Sequence, residues 1–224
     1  MTRMGVDERR AARRREIIAA TRALFDERGV RDAQIEDIAR AVGINRAIIY
    51  RHFSSKEELF AVTLVEYLHE LEAAFAAGVD PSDPPRRRLA SIVAAFFDYG
   101  VAHPAFVDCA QTLLRRRGTE LQQEVGDAVL IELGTAISAC LAHLVTTLTE
   151  GTDAGDFRVT DPSLVANVLY AQGLGALNLA HLQWSIREHN TGMPVVDDVA
   201  SDTLRTLLVH GALAMATGSS PRPA

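Results

Sequence analysis

The sequence is short of the residues that mark disulfide-bonded, metal-binding and secreted proteins. Its 224 residues include only two cysteines, Cys109 and Cys140, which lie far apart in apolar segments. We expect both to be reduced core residues of a cytosolic protein. The N-terminal residues become charged without an intervening apolar stretch, so no secretory signal is expected.

Long apolar runs are also scarce. The longest uncharged stretch, residues 162–186, could span a bilayer by length, but it carries polar side chains that are costly in hydrocarbon. We therefore expect a helix buried against protein, and no membrane association. These polar side chains belong to Asn167, Gln172, Asn178, His181 and Gln183.

The motifs of enzymes are missing too. There is no nucleophile–base pair, no glycine-rich phosphate loop and no metal-ligand cluster, and His103, His143 and His181 lack mutual ligand spacing. An enzyme with a helical N-terminal domain is thereby disfavoured, and no cofactor or metal is expected.

Strand-like alternation is absent, whereas nearly every apolar segment repeats at helical spacing, which predicts an all-α protein.

Charge is divided unevenly along the sequence. Residues 1–56 hold thirteen of the 23 Lys+Arg and eight of the 29 Asp+Glu, a balance of +5, and the remainder carries −11. A cationic N-terminal part on an acidic body suits binding of phosphates at one end, although a solvated helix face is the alternative.

Residues 35–53 contain two short helical patterns separated by Gly43, as in a helix-turn-helix. Ala39 provides the small residue that a close helix crossing needs, and Asn45 is placed to cap the second helix. The inward-facing apolar set consists of Ile38, Val42, Ile44 and Ile49.

These residues resemble the N-terminal domain of the TetR family of bacterial regulators. The resemblance forms a specific chain of motifs over about fifty residues, but it covers only a quarter of the protein. Its segments are Ile17-Ile18-Ala19-Ala20, Leu24-Phe25, Asp37-Ile38-Ala39, Gly43-Ile44, Tyr50-Arg51-His52-Phe53 and Ser55-Lys56-Glu57-Glu58-Leu59.

The resemblance implies a reading helix in the major groove of DNA, with Lys56, the only lysine in the chain, holding a phosphate. Tyr50 could also donate to a phosphate, and Ile48 could pack on a thymine methyl. The candidate DNA-contacting residues are Asn45, Arg46, Ala47, Ile48, Tyr50, Arg51, His52 and Lys56.

Two positions depart from the family pattern. Ala33-Gln34 stands where Thr or Ser usually starts the first helix of the motif, so Asp32 is expected to cap it. Ala47-Ile48 stands where Gly and a small residue are usual, so the operator sequence does not follow from the family. The arginine runs at 86–88 and 115–117 are predicted to be solvated helix ends.

Large side chains beyond the motif are first of all candidate core residues. The resemblance implies that some of them line an effector cavity. Two C-terminal helices, predicted near 161–189 and 197–216, carry apolar surfaces that need a partner, so we expect them to form a homodimer. The effector candidates are Phe60, Leu64, Tyr67, Phe96, Phe97, Phe106, His143 and Tyr170. The dimerisation candidates are Gly173, Gly175, Trp184, Leu204, Leu208 and Gly211.

The predicted organisation is a three-helix DNA-binding domain at residues 1–56, a larger helical effector-binding and dimerisation domain at 57–218, and a disordered tail at 219–224. The predicted function is sequence-specific regulation of transcription in the cytoplasm, at the nucleoid. Its main form is a repressor that a small lipophilic or aromatic effector releases from operator DNA. An activator, or a DNA-organising protein without sequence preference, is the alternative.

Overall fold

A computed structural model describes residues 5–114, 122–188 and 194–218, with the side chains of Leu114, 184–188 and 194–197 outside that description. The predicted tail at 219–224 and the arginine run at 115–117 therefore lie outside the described residues, as does the side chain of Trp184. The helices are α1 (Val6–Arg28), α2 (Ile35–Val42), α3 (Arg46–His52), α4 (Lys56–Gly78), α5 (Pro85–Ala102), α6 (Pro104–Leu114), α7 (Asp127–Asp153), α8 (Pro162–Leu182) and α9 (Ser201–Thr217). Strands β1 (Trp184–Glu188) and β2 (Pro194–Asp198) form one antiparallel hairpin between α8 and α9.

The all-α class is confirmed, because helices dominate the described chain. The chain divides into two compact units, one of residues 1–68 and 103–136 and one of 69–102 and 137–224. The predicted domain boundary at 56/57 stays a prediction. Helices α4 and α7 each contribute residues to both units.

In the first unit, α1 buries an apolar face against its neighbours. The rings of Phe25 and Phe60 meet edge to face with centroids 4.7 Å apart. Tyr67 is completely buried, and its hydroxyl donates to Asp26 Oδ1 at 2.6 Å while the Arg22 guanidinium lies 4.5 Å from the ring centroid. Because burial and the acceptor Asp26 both favour the neutral phenol, the pKa of Tyr67 is raised far above its usual value.

In the second unit, α5 packs against α8 and α9. Two glycines allow this close approach: Gly100 faces the side chain of Leu177, and Gly173 faces the ring of Phe96. On the solvent side, Arg205 binds Asp98 through two parallel hydrogen bonds of 2.7 and 2.8 Å. The glycine at 173 is therefore explained by packing within one chain.

The helix ends are partly as predicted. The cap at Asn45 is confirmed, since Asn45 Oδ1 accepts from Ile48 N at 3.1 Å. Asp161 before Pro162 also predicts a helix start from sequence, and Asp161 Oδ1 accepts from Leu164 N at 2.9 Å. The expected cap at Asp32 is wrong, because α2 begins after Gln34, whose side chain makes no capping bond. The helical spacing of apolar residues over about 119–149 predicts a single helix there, which is also wrong, since Gly126 precedes a new helix, α7.

Helix α8 is shorter than predicted. It ends at Leu182, because Gln183 takes the left-handed conformation with φ 56° and its N–H bonds to the carbonyl of Leu179. The prediction that this helix reaches residue 189 is wrong, and so is a start of the last helix at Asp197 or Asp198, which belong to β2. A glutamine that stops a helix gives no sequence signal, since glycine is the usual residue there.

Among the described residues, one helix, α7, is long enough and apolar enough to cross a membrane. Core helices of globular proteins pass the same test of length and composition, so the finding carries no membrane assignment. The stretch considered from sequence, now α8 and β1, does not form one helix.

Candidate functional site

Helices α2 and α3 form the predicted helix-turn-helix. Gly43 links them in the left-handed conformation at φ 70°, and the next N–H, of Ile44, bonds to the Ala39 carbonyl at 2.9 Å. Ile38 and Ala39 of α2 are buried together with Ile49 of α3. These contacts fix which side of α3 faces inward.

The opposite side of α3 is open to solvent. Arg46, Ala47, Tyr50 and Arg51 are exposed, and Ile48 is half-buried. Tyr50 leaves 43% of its surface exposed, and its ring lies 5.9 Å from the Arg46 guanidinium. Because a short helix with one free, cationic side can enter the major groove, this face is the candidate DNA-reading surface.

The DNA-contact candidate Asn45 already makes one hydrogen bond within the protein. Its side-chain oxygen accepts the Ile48 N–H at the start of α3, as described above. A cap of this kind fixes where α3 begins and hence which residues reach its open side. Asn45 therefore sets the position of Arg46, whatever contact it makes itself.

Arg46 is held by a partner that the sequence did not reveal. Its Nη1 donates to Glu36 Oε1 on α2 at 2.8 Å, and the two side chains remain 65% and 54% exposed. An ion pair this exposed contributes about 0–1 kcal/mol. Arg46 can therefore exchange Glu36 for an acceptor on DNA at small cost.

His52, the last residue of α3, lies near several arginines. Burial, and then the charges of Arg10, Arg51, Arg13 and Arg14, lower the pKa of His52 below its usual value. Its Nδ1 is buried without a hydrogen-bond partner in the described parts of the chain. The arrangement concentrates positive charge where phosphates would approach.

Lys56 is the first residue of α4 and follows Ser54 and Ser55, which lie just before the helix. Ser55 Oγ accepts from Glu58 N at 2.9 Å, and Glu58 Oε2 accepts from Ser54 N at 3.2 Å, so the end of the helix is fixed by side chains. The Lys56 ammonium lies 5.0 Å from the Phe60 ring centroid. The ring thus supports the ammonium near the end of α3.

The effector candidates do not come together around one cavity. Phe60, Leu64, Tyr67 and Phe106 belong to the first unit, where all four are buried. In the second unit, Phe97 is buried, and Phe96 and Tyr170 pack on each other with centroids 5.8 Å apart.

The second unit contains a cavity of about 390 Å³ between the end of α4, the start of α5 and α7. Of the effector candidates, only His143 lines it. Its wall also includes Arg88, which the sequence reading assigned to a solvated run. A signal was present, because Arg88 lies one helical turn before Ile92, a buried residue of α5.

Of the dimerisation candidates, Leu204, Leu208 and Gly211 line a shallow apolar groove of about 270 Å³ together with Gln172, Ala176 and Leu207. Leu207 leaves 61% of its surface exposed. Gly175 is exposed and has nothing near it, whereas Gly173 is covered by Phe96. The groove is the candidate surface for a second copy.

Comparisons with known proteins agree with this architecture. A family model described as bacterial regulatory proteins of the tetR family matches residues 17–63. The chain is 32% identical over 146 residues to the transcriptional repressor NicS of Pseudomonas putida, covering 59% of this chain and 68% of NicS. It is 32% identical over 90 residues to the transcriptional activator FasR of Mycolicibacterium smegmatis, covering 40% and 41%.

Several other curated relatives are matched over less of their length than NicS. The chain spans about half of them, between 41% and 54%. The crystal structure of RolR with resorcinol superposes with a TM-score of 0.68 over 97% of this chain and 98% of RolR, at 16% identity. At that identity the likeness concerns the fold. Because the match to NicS extends over two thirds of that relative, the chain belongs to the TetR family of bacterial regulatory proteins.

Proposed function

We propose that the chain is a transcriptional repressor that binds operator DNA as a homodimer and is released by a small molecule. The observation that carries the proposal is the open side of α3, where Arg46, Ala47, Tyr50 and Arg51 are exposed above the buried Ile49. The proposal involves no catalytic step and places the protein in the cytoplasm, at the nucleoid.

Two kinds of contact divide the work on DNA. Arg46 presents a planar set of donors that suits the O6 and N7 acceptors of guanine, and so provides sequence discrimination. Lys56, Tyr50 and the arginines around His52 bind phosphates, which positions the protein without discriminating sequence. The acidic remainder of the chain limits indiscriminate binding.

The groove lined by Leu204, Leu207 and Leu208 supports the homodimer. Covering Leu207 and Leu208 with the same groove of a second copy would remove apolar surface from water, and a two-fold pairing uses one patch twice. Such a dimer would place two reading helices on half-sites about 34–36 Å apart. The operator is accordingly expected to be nearly palindromic.

The cavity lined by His143 supports the sensing role. Its volume of about 390 Å³ lies near the lower end of the range of ligand pockets, roughly 300–1,000 Å³. Helix α4 begins at Lys56 and ends beside this cavity, where Phe75 and Ala76 line the wall. A ligand that shifts α4 would therefore move the reading helices and lower operator affinity, and operator DNA would weaken ligand binding by the same factor.

The test starts from random duplex DNA, from which the full chain selects its own sites. We expect a near-palindromic consensus, and a loss of about 1–3 kcal/mol of binding free energy with relaxed specificity for Arg46→Ala. Lys56→Ala and Tyr50→Phe should weaken binding to all sequences alike. The matched control is Arg40→Ala, since Arg40 is equally exposed but lies on α2 and pairs with Asp37.

The outcomes separate the alternatives. No enriched consensus would contradict the repressor and indicate a DNA-organising protein, as would full competition by unrelated DNA. Unchanged binding by all three variants would contradict the assigned surface. Transcription from a promoter that overlaps the selected site should fall when the protein is added, and a rise instead would indicate an activator, as FasR is named.

A further inference from the structure

The cavity in the second unit has apolar walls and one buried cationic residue. Phe75, Val79, Ile92 and Ala142 contribute apolar surface, and Arg88 contributes a guanidinium. The side chain of Arg88 is only 11% exposed. His143, Thr146 and Thr147 also line the wall, and a mostly buried charge beside largely apolar surface is costly unless it is paired.

Among the described residues, Arg88 has one carboxylate partner. Its Nη2 donates to Glu150 on α7, a carboxylate that is itself 52% exposed. Its Nε is buried and has no hydrogen-bond partner within the described residues. An unpaired donor costs more free energy when it is buried than when it is exposed, because water cannot bind to it there.

We propose that this cavity binds an organic carboxylate with an apolar tail, whose carboxylate accepts from the Arg88 guanidinium at the wall while the tail lies against Phe75 and Ile92. A guanidinium N–H bonded to a carboxylate is a charge-assisted hydrogen bond, about twice as strong as a neutral one. The inference rests on the proposed function, because it names the chemical class of the effector.

Other classes of ligand fit the wall less well. A neutral aromatic molecule fills the apolar part but offers the guanidinium no charged acceptor, and a cation is repelled by Arg88. His143 does not change this preference, since its Nε2 lies 3.4 Å from Glu72 Oε1 and its ring packs on Phe75 at 5.5 Å. Glu150 opposes a second carboxylate at the same guanidinium, so removing its charge should strengthen binding.

The test compares matched acids and amides with the full chain in the absence of DNA. The probes are 3-phenylpropanoate and octanoate, each with its primary amide, measured by isothermal titration calorimetry. We expect at least one acid to bind about tenfold more tightly than its own amide, as a charge-assisted bond implies. No binding by either acid at millimolar concentration, or equal binding of acid and amide, would overturn the proposal.

Two variants with opposite expected effects follow. Arg88→Gln should remove the preference for the acid, whereas Glu150→Gln should increase acid affinity and leave the amide unchanged. Arg87→Gln is the control, since Arg87 is the exposed neighbour of Arg88 on α5 and pairs with Asp83 outside the cavity wall. If Arg88→Gln does not fold, judged by circular dichroism, Glu150→Gln decides alone, and unchanged acid affinity there would overturn the proposal.

Operator binding is measured separately with the same variants. Arg88→Gln should bind the selected DNA as the wild type does but resist release by the acid. If the wild type binds DNA but does not prefer the acid to the amide, only the proposed effector class is refuted. If the wild type binds the acid but no specific DNA sequence, the repressor function is refuted and the acid-binding site is retained.

Discussion

Gly173→Ala tests how closely α5 and α8 approach each other. A Cβ at residue 173 would lie 2.5 Å from Phe96 Cε1 and 2.9 Å from Cδ1. Phe96 cannot move aside freely, because its ring is nearly buried and packs against Tyr170. We therefore expect the added methyl group to destabilise the folded protein.

The magnitude follows from two opposing effects. Overpacking of a filled core costs about 1–3 kcal/mol, whereas replacing glycine by alanine inside a helix gains about 0.8–1.0 kcal/mol. Gly175→Ala is the matched control, since Gly175 lies in the same helix and has no atom within 4 Å of an added Cβ. Helix propensity cancels between the two variants, so Gly173→Ala should be less stable than Gly175→Ala by about 1–3 kcal/mol.

The assay is thermal unfolding of both variants at one protein concentration, because dimer formation makes the midpoint depend on concentration. At about 2–4 °C per kcal/mol for a chain of this size, the midpoints should differ by roughly 2–12 °C. A Gly173→Ala protein at least as stable as Gly175→Ala would refute the reasoning. It would mean that Phe96 has room to turn away.

Three further predictions concern the first unit. Asn45→Ala should lower the free energy of unfolding by about 1 kcal/mol through loss of the α3 cap, with Asn45→Asp as the conservative control; equal urea midpoints for all three proteins would contradict this. Glu36→Gln should raise affinity for the selected DNA by up to about fivefold, because it removes the carboxylate that competes for Arg46; fluorescence anisotropy measures the effect, and unchanged or weaker binding would be inconsistent with it. Because burial and nearby arginines lower the pKa of His52 below 6.5, the unfolded chain takes up a proton more readily than the folded one, so stability should decline as pH falls from about 6.5 toward the folded pKa. His52→Gln should remove that part of the decline in urea titrations across pH, and parallel profiles for variant and wild type would exclude it.

The helix-turn-helix could be predicted from sequence because each of its determinants is local. Gly43 supplies the left-handed turn, and Asn45 bonds only three residues ahead of itself. The alternation of buried Ile38 and Ile49 with exposed Arg46 and Tyr50 follows helical periodicity alone. All of these features are determined by residues within twenty positions of one another.

Features made by distant residues could not be predicted in the same way. Arg88 meets Glu150 across 62 positions, so its helical spacing to Ile92 could indicate an inward-facing position but not this partner. Tyr67 was expected to face an effector, but its hydroxyl reaches Asp26, 41 positions away. The hairpin of β1 and β2 follows Gln183, which takes a conformation that glycine usually takes. The sequence therefore carries no signal for the end of α8 or for the hairpin.

The position of Lys56 gives the protein a single addressable bond. No other lysine occurs in the sequence, and this one is the first residue of α4, at the predicted end of the DNA-binding domain. A protease specific for lysine therefore has one cleavage site, which separates residues 1–56 from the remainder. Bound DNA that engages the ammonium should shield this bond, so the rate of a single cut reports occupancy of the operator without a label.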